Sequence, residues 1–131
     1  MKLVFDEPGS PLAAELWDRA ESVVCSLLVY PEARAAVAAA HRGGRITSAV
    51  LRRAVDTVDE LCAEVDVIGL DADLAHTAGA LAETYGLRGY DAVHLATAMS
   101  IDVDALVLAT WDGDLAHAAI AAGCSVAPPP R

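Results

Sequence analysis

Residues 105–128 read ALVLATWDGDLAHAAIAAGCSVAP, and their pattern indicates the fold class. The apolar run ALVLAT is typical of a buried strand, a helical stretch follows from Asp112 to Ala122, and Gly123 ends it before the apolar run CSVAP. Two short apolar strands joined by a helix are typical of a parallel pair, because a crossover connection has to return the chain to the same edge. The stretch therefore predicts an α/β fold, with CSVAP as an edge strand that three prolines close.

The rest of the chain repeats this alternation of helices and short apolar strands. Ser10 followed by Pro11 predicts a helix start with the serine as its cap, and SVVCS and VDVIGL predict two further strands. Between those strands, an alanine-rich helix over residues 27–41 and a second helix capped by Thr47 predict a helical hairpin. Asp71 is predicted to cap the next helix. Because the strands are apolar on both faces, we expect one central parallel sheet with helices on each side.

The composition predicts one compact domain over residues 1–131. With 131 residues and 55% hydrophobic residues, the chain is long enough for one core and too short for two comfortable ones. No apolar run approaches the roughly 18 residues of a membrane span, and the amino terminus lacks the pattern of a secretory signal. We therefore expect a cytoplasmic protein. Its odd number of widely spaced cysteines suits structural roles in a reducing compartment: Cys25, Cys62 and Cys124.

The net charge of −10 argues against a protein that holds nucleic acid by bulk electrostatic attraction alone. Binding of a polyanion would need local positive charge, which divalent cations held by carboxylates would supply. The only concentration of basic residues is formed by Arg42, Arg45, Arg52 and Arg53. A solvated helix surface and a contact with a substrate or partner explain these arginines equally well.

Residues 87–99 read LRGYDAVHLATAM, an apolar helical stretch with a single acid, Asp91, near its start. Burying a carboxylate without compensation is costly, so we expect a cation, a hydrogen-bond donor or a substrate to meet Asp91. Sites in α/β folds gather where strands end, and two further acids lie at such points. Glu32 follows SVVCS, and Asp112 follows ALVLAT directly.

Three segments, in this order, resemble the acid-bearing motifs of PIN-domain ribonucleases, specifically the VapC-type toxins of toxin–antitoxin pairs. They are SLLVYPEARAA with Glu32, LRGYDAVHLATA with Asp91 and ATWDGDL with Asp112, and the likeness covers essentially the whole chain. The resemblance implies a cytoplasmic endoribonuclease that depends on Mg²⁺ or Mn²⁺, is inhibited by a cognate antitoxin and is commonly a homodimer. An antitoxin helix would lie beside the acids and present an arginine to them.

The resemblance and the chemistry of the residues indicate the same site. Glu32, Asp91 and Asp112 are the expected catalytic acids and metal ligands, since hard divalent ions prefer oxygen ligands and activate water for phosphate hydrolysis. Asp114 is a candidate fourth ligand, although a favourable interaction with the helix dipole explains its first-turn position slightly better. Thr110 has two equally good explanations. Its hydroxyl orients Asp112 or a metal-bound water, or the residue ends the strand and caps the helix.

The amino terminus departs from the family pattern. PIN domains of this type open with an apolar strand that ends in a catalytic Asp, and Met1 falls inside what would be the following helix. Asp6 matches a later, noncatalytic acid of the family, so we do not assign it to the site. We expect the recorded start to lie too late, with an upstream in-frame strand that ends in Asp.

Alternatives to a fully active nuclease stay open for a chain that begins at Met1. One is a nuclease weakened by the missing Asp, and another is an inactive PIN-like module that only binds an antitoxin or another partner. A receiver-like signalling domain is also small, α/β and rich in clustered acids, but its chemistry requires a lysine near them. The only lysine, Lys2, is far in sequence from ATWD, so this class ranks well below the nuclease.

Overall fold

The computed structural model describes all residues from 1 to 131 and contains six helices and four short strands. Contacts within the chain divide it into two units, Met1–Val67 and Ile68–Arg131, and the single domain over residues 1–131 stays a prediction. No helix has the length and apolar character needed to cross a membrane. The elements in chain order are α1 (Ser10–Arg19), β1 (Val24–Ser26), α2 (Val29–Arg42), α3 (Ser48–Ala63), β2 (Asp66–Ile68), α4 (Ala72–Tyr85), α5 (Gly89–Met99), β3 (Val107–Ala109), α6 (Gly113–Ala121) and β4 (Ser125–Ala127).

The first unit is built around the packing of α2 against α3. Val37 of α2 and Ala54 and Val58 of α3 are buried together and form its core. Removing such apolar side chains from water is the main stabilising term for a small unit of this kind. The two helices that the sequence predicts as a hairpin therefore pack on each other. Partly buried residues surround this core, namely Met1, Val4, Phe5, Ala33, Ile46, Leu51, Val55 and Cys62.

The second unit is built around α5, which packs against both α4 and α6. Strands β3 and β4 are parallel, with Val107 opposite Ser125 and Ala109 opposite Ala127, and α6 connects them. This strand–helix–strand arrangement is the one predicted from residues 105–128, and it confirms the α/β class. The buried residues of α5 are Asp91, Ala92, Val93, Leu95, Ala96, Thr97 and Ala98.

Two of the predicted helix caps are confirmed and one is wrong. Thr47 caps α3 and Asp71 caps α4, each accepting a hydrogen bond through its side-chain oxygen. In α1, however, the cap is Gly9 with φ of 99°, a left-handed conformation that glycine adopts without strain. Ser10 is the first helical residue, and its Oγ accepts a hydrogen bond from the Glu7 N–H at 2.9 Å.

The strands are shorter and more exposed than the sequence predicts. Each spans three residues, and the hydrogen-bonded pairs are β1 with β2 and β3 with β4. One central sheet stays a prediction. Val67 and Val107 are 50% and 48% exposed, although their apolar runs predict burial on both faces. An apolar run shows only that its residues are hydrophobic. The length and burial of a strand depend on which backbone groups pair with it and which side chains cover it in the folded chain.

The three cysteines are free and partly buried, in agreement with their predicted structural role. Burial raises the pKa of the Cys25 thiol, and the neighbouring Cys62 raises it further. Burial also raises the pKa of Cys62, with a smaller contribution from Asp59. Thiols with a raised pKa stay protonated at neutral pH, which lowers their reactivity as nucleophiles.

Candidate active site

An arginine brings two of the predicted acids together in the second unit. Arg88 occupies the N-cap position of α5, and its Nε donates a hydrogen bond to Asp91 Oδ2 at 2.7 Å. Its Nη2 donates a second hydrogen bond to Asp112 Oδ2 at 3.0 Å. Asp91 lies in the first turn of α5, and Asp112 is the N-cap residue of α6. Two carboxylates on different helices therefore converge on one guanidinium.

The two carboxylates differ in their exposure to solvent. The Asp91 side chain is 8% exposed, the Asp112 side chain is 36% exposed, and the Arg88 side chain is 59% exposed. A carboxylate as buried as Asp91 is costly to leave unpaired, and the guanidinium supplies the charge-assisted hydrogen bond that it needs. The prediction that a cation or a donor meets Asp91 is confirmed.

The same contacts act on the protonation of the arginine. The hydrogen bond to Asp91 is the main cause that raises the pKa of Arg88 above its ordinary value, followed by the charge of Asp91. The charge of Asp112 contributes less. The guanidinium is thus positively charged at neutral pH, and it neutralises part of the charge of Asp91 and Asp112.

Local backbone contacts hold Asp112 in place. Its Oδ1 accepts a hydrogen bond from the Leu115 N–H at 2.9 Å and so caps α6, which leaves Oδ2 directed at Arg88. Its own N–H donates to Thr110 Oγ1 at 3.1 Å. Thr110 in turn donates its N–H to the Ala127 oxygen at 3.0 Å. The hydroxyl of Thr110 therefore contacts the backbone of Asp112, and the helix cap is Asp112 itself.

Two substitutions of Asp112 separate its capping role from its charge. Asp112→Ala removes the acceptor for Leu115 N–H and is expected to lower the free energy of unfolding by about 1 kcal/mol. Asp112→Asn keeps an acceptor oxygen at the cap and is expected to change stability much less. Urea denaturation followed by circular dichroism measures both effects. Equal destabilisation by the two variants would contradict the capping role.

Glu32 belongs to the first unit. It is half-buried in the first turn of α2, where its N–H donates to the Leu28 oxygen at 3.1 Å. Ser26, buried at the end of β1, accepts a hydrogen bond from the Leu28 N–H and helps to turn the chain from strand to helix. Glu32 thus follows a strand end closely, as predicted. Its convergence with Asp91 and Asp112 stays a prediction.

The remaining polar candidates are exposed. Asp114 lies in the first turn of α6, where a carboxylate interacts favourably with the helix dipole, and it lines a groove of about 360 Å³ with Tyr85 and His117. Within neither unit do three His, Cys, Asp or Glu side chains come together in an arrangement that would hold a metal ion. The four arginines of the basic concentration are all exposed, namely Arg42, Arg45, Arg52 and Arg53.

Arg88 is the site residue that sequence reasoning missed. Two features of the sequence indicate that Arg88 belongs to the site. Arg88 stands three residues before Asp91, a spacing that places two side chains on the same face of a helix. An acid expected to be buried also needs a cationic partner, and among the arginines and the one lysine Arg88 is the nearest to Asp91 in the chain.

Comparison with known proteins places the chain in a family. A profile of the PIN domain matches residues 1–121. Two relatives from two strains of Mycobacterium tuberculosis, ribonuclease VapC45 and ribonuclease VapC49, are each 44% identical to the chain over 128 residues. The matched region covers 98% of this chain and 89% of each relative. The resemblance seen in the three acid-bearing segments is thus confirmed, and the chain belongs to the PIN domain family.

Proposed function

We propose that this chain is a toxin endoribonuclease that hydrolyses RNA phosphodiester bonds with a divalent cation, Mg²⁺ or Mn²⁺, as its cofactor. The observation that carries the proposal is the convergence of Asp91 and Asp112 on one positive group. The names of the relatives support it, since both are ribonucleases.

The donor set around Arg88 fits a hard divalent cation. Carboxylate oxygens are the ligands that Mg²⁺ and Mn²⁺ prefer, and the guanidinium shows that Asp91 and Asp112 accept a shared cationic partner. These two acids would hold the ion, with Glu32 as the third carboxylate and Asp114 as a candidate fourth. The cation would supply activation of the attacking water and neutralisation of charge on the scissile phosphate.

The residues of the chain prepare the two acids for this role. Burial on α5 restricts the side chain of Asp91, and the hydrogen bonds at Thr110 and Leu115 restrict Asp112. Side chains that are already fixed before a ligand binds lose little conformational freedom on binding. They therefore bind the ligand more tightly, and act more effectively in catalysis, than freely rotating side chains do. With a net charge of −10, the chain needs local positive charge to attract RNA, and this site is where such charge would be concentrated.

Removal of the metal tests the proposed function. Purified protein is expected to cleave a mixed-sequence RNA in Mg²⁺ or Mn²⁺, to lose cleavage in excess EDTA and to regain it when the ion is restored in excess. Asp91→Asn, purified identically, controls for contaminating nucleases. Cleavage that continues in excess chelator would contradict metal dependence. No cleavage with either ion would favour a module that only binds a partner.

The proposal includes the partners implied by the family. A cognate antitoxin is proposed to neutralise the enzyme by laying a helix beside the acids and presenting an arginine to them. The contacts of Arg88 support this mode, because they show that the acid pair accepts a guanidinium. A homodimer in the cytoplasm is proposed from the resemblance alone.

A further inference from the structure

We propose that Arg88 is an internal counter-ion of the acid pair that the divalent cation displaces, and that the displaced guanidinium then binds the RNA phosphate. This role rests on the proposed function and adds a substrate-binding residue to it. The observation behind it is that a single guanidinium contacts both Asp91 and Asp112.

The contacts of Asp112 show why the two cations compete. One of its oxygens, Oδ1, caps α6 through Leu115 N–H, and the other, Oδ2, accepts from Arg88. Asp91 and Asp112 would hold a metal ion through their carboxylate oxygens, and the Arg88 guanidinium already occupies one oxygen of each acid, Oδ2. Two positive charges at this distance also repel each other. Binding of the cation therefore requires Arg88 to withdraw from the acids.

The surroundings of Arg88 show that it is the group that moves. Its side chain is 59% exposed, whereas that of Asp91 is 8% exposed and fixed within α5. The guanidinium lies 4.9 Å from the ring centroid of Tyr90, which is itself 43% exposed. An aromatic face attracts a cation, so Tyr90 offers Arg88 a contact that does not depend on the acids. Exchange with a metal ion thus shifts one exposed side chain and leaves the carboxylates in place.

The displaced arginine would stand beside the place where the scissile phosphate has to bind. A guanidinium presents paired N–H donors that match two phosphate oxygens, a geometry that a lysine ammonium lacks. In a chain with 9 basic residues against 19 acids, one such contact next to the acids is a substantial share of the local attraction for RNA. The expected consequence is that Arg88 opposes metal binding and favours RNA binding.

The first part of the proposal is that Arg88 opposes metal binding. Calorimetric titration with Mn²⁺ tests it at about pH 8, where carboxyl groups are ordinarily ionised. Arg88→Met keeps the length of the side chain without its charge, and we expect it to bind Mn²⁺ about tenfold more tightly than the wild type. Arg88→Lys keeps the charge but lacks the paired N–H donors of the guanidinium. Its Mn²⁺ affinity is expected to lie between those of the wild type and Arg88→Met. Arg19→Met is the matched control, because Arg19 is an exposed arginine paired with Glu15 at 2.7 Å, and its Mn²⁺ affinity should equal that of the wild type.

The second part of the proposal is that the displaced Arg88 guanidinium binds RNA, and measurements of RNA binding test it. Fluorescence anisotropy with a short single-stranded RNA is measured at saturating Mn²⁺ in a Glu32→Gln background, in which cleavage is expected to be blocked. Adding Arg88→Met is expected to weaken binding about tenfold and to reduce the slope of log affinity against log salt by about 0.7, the effect of one phosphate contact on a single strand. Arg88→Lys is expected to restore part of the affinity.

Tighter Mn²⁺ binding together with weaker RNA binding supports the proposal, and a purely structural role would not produce these opposite signs. Unchanged or weaker Mn²⁺ binding in Arg88→Met overturns it, and so does an unchanged RNA affinity. Failure of the proposed function is distinguishable, because the wild type would then bind no Mn²⁺ at the acids and cleave no RNA with either ion.

Discussion

Asp91→Asn is expected to lower metal-dependent RNA cleavage by more than about 100-fold, because changes to groups that only support a metal ligand already cost 10–100-fold. Asp91 is the most buried of the three proposed acids and has a charged partner. The amide of asparagine keeps the size of the side chain but loses the negative charge that would hold the cation. Initial rates of RNA cleavage at saturating Mg²⁺ measure the effect.

A loss of activity in Asp91→Asn is meaningful only if the variant folds. Its stability is expected to change modestly, because the released Arg88 guanidinium is already 59% exposed and readily solvated. Circular dichroism checks this directly. Asp73→Asn is the matched control, since Asp73 is an exposed acid in the first turn of α4, and its activity should equal that of the wild type. Cleavage by Asp91→Asn at the wild-type rate would contradict the assignment of Asp91 to the site.

Leu95→Ala is expected to produce the largest change in stability, a loss of about 3 kcal/mol in the free energy of unfolding. Leu95 is fully buried at 0% exposure on α5, the helix that also carries Asp91. Truncation removes apolar contacts and leaves a cavity that close-packed neighbours fill only in part. Such a loss is a large share of the 5–15 kcal/mol that stabilises an ordinary domain. Urea denaturation of the purified variant measures it.

Met99→Ala is the control for this prediction. Met99 ends the same helix but is 45% exposed, so its truncation is expected to change the free energy of unfolding by less than about 0.5 kcal/mol. If both variants lose the same stability, Leu95 does not occupy the packed core described above.

The parts of the fold that were predictable from the sequence are those set by local interactions. Thr47 and Asp71 cap helices because a side-chain oxygen reaches a backbone N–H three residues ahead, which spacing alone reveals. The sequence predicts the start of α1 to within one residue but the wrong cap, because the cap depends on the left-handed φ of Gly9, and the following Ser-Pro pair is typical of a more common start. The sequence predicts strands that are too long, because the length of a strand depends on pairing between segments that are distant in the sequence.

The candidate site was predictable in its residue types but not in its contacts. The need of Asp91 for a partner follows from its apolar neighbours, yet the identity of that partner depends on how α5 and α6 pack. The contact of Arg88 with Asp112 spans 24 residues of sequence and exists only through this packing. The sequence allows two explanations for Thr110 because the direction of its hydroxyl depends on the fold and not on its position after a strand.

A crystal structure of the protein grown with Mn²⁺ would show whether Asp91, Asp112 and Glu32 form one metal site, since the anomalous signal identifies the ion. We expect one strong anomalous peak within ligand distance of carboxylate oxygens from Asp91, Asp112 and Glu32, with the Arg88 guanidinium withdrawn from the acid pair. A structure with Glu32 remote from the other two acids, or with Mn²⁺ bound elsewhere and none at Asp91, would contradict the claim that these acids form one metal site.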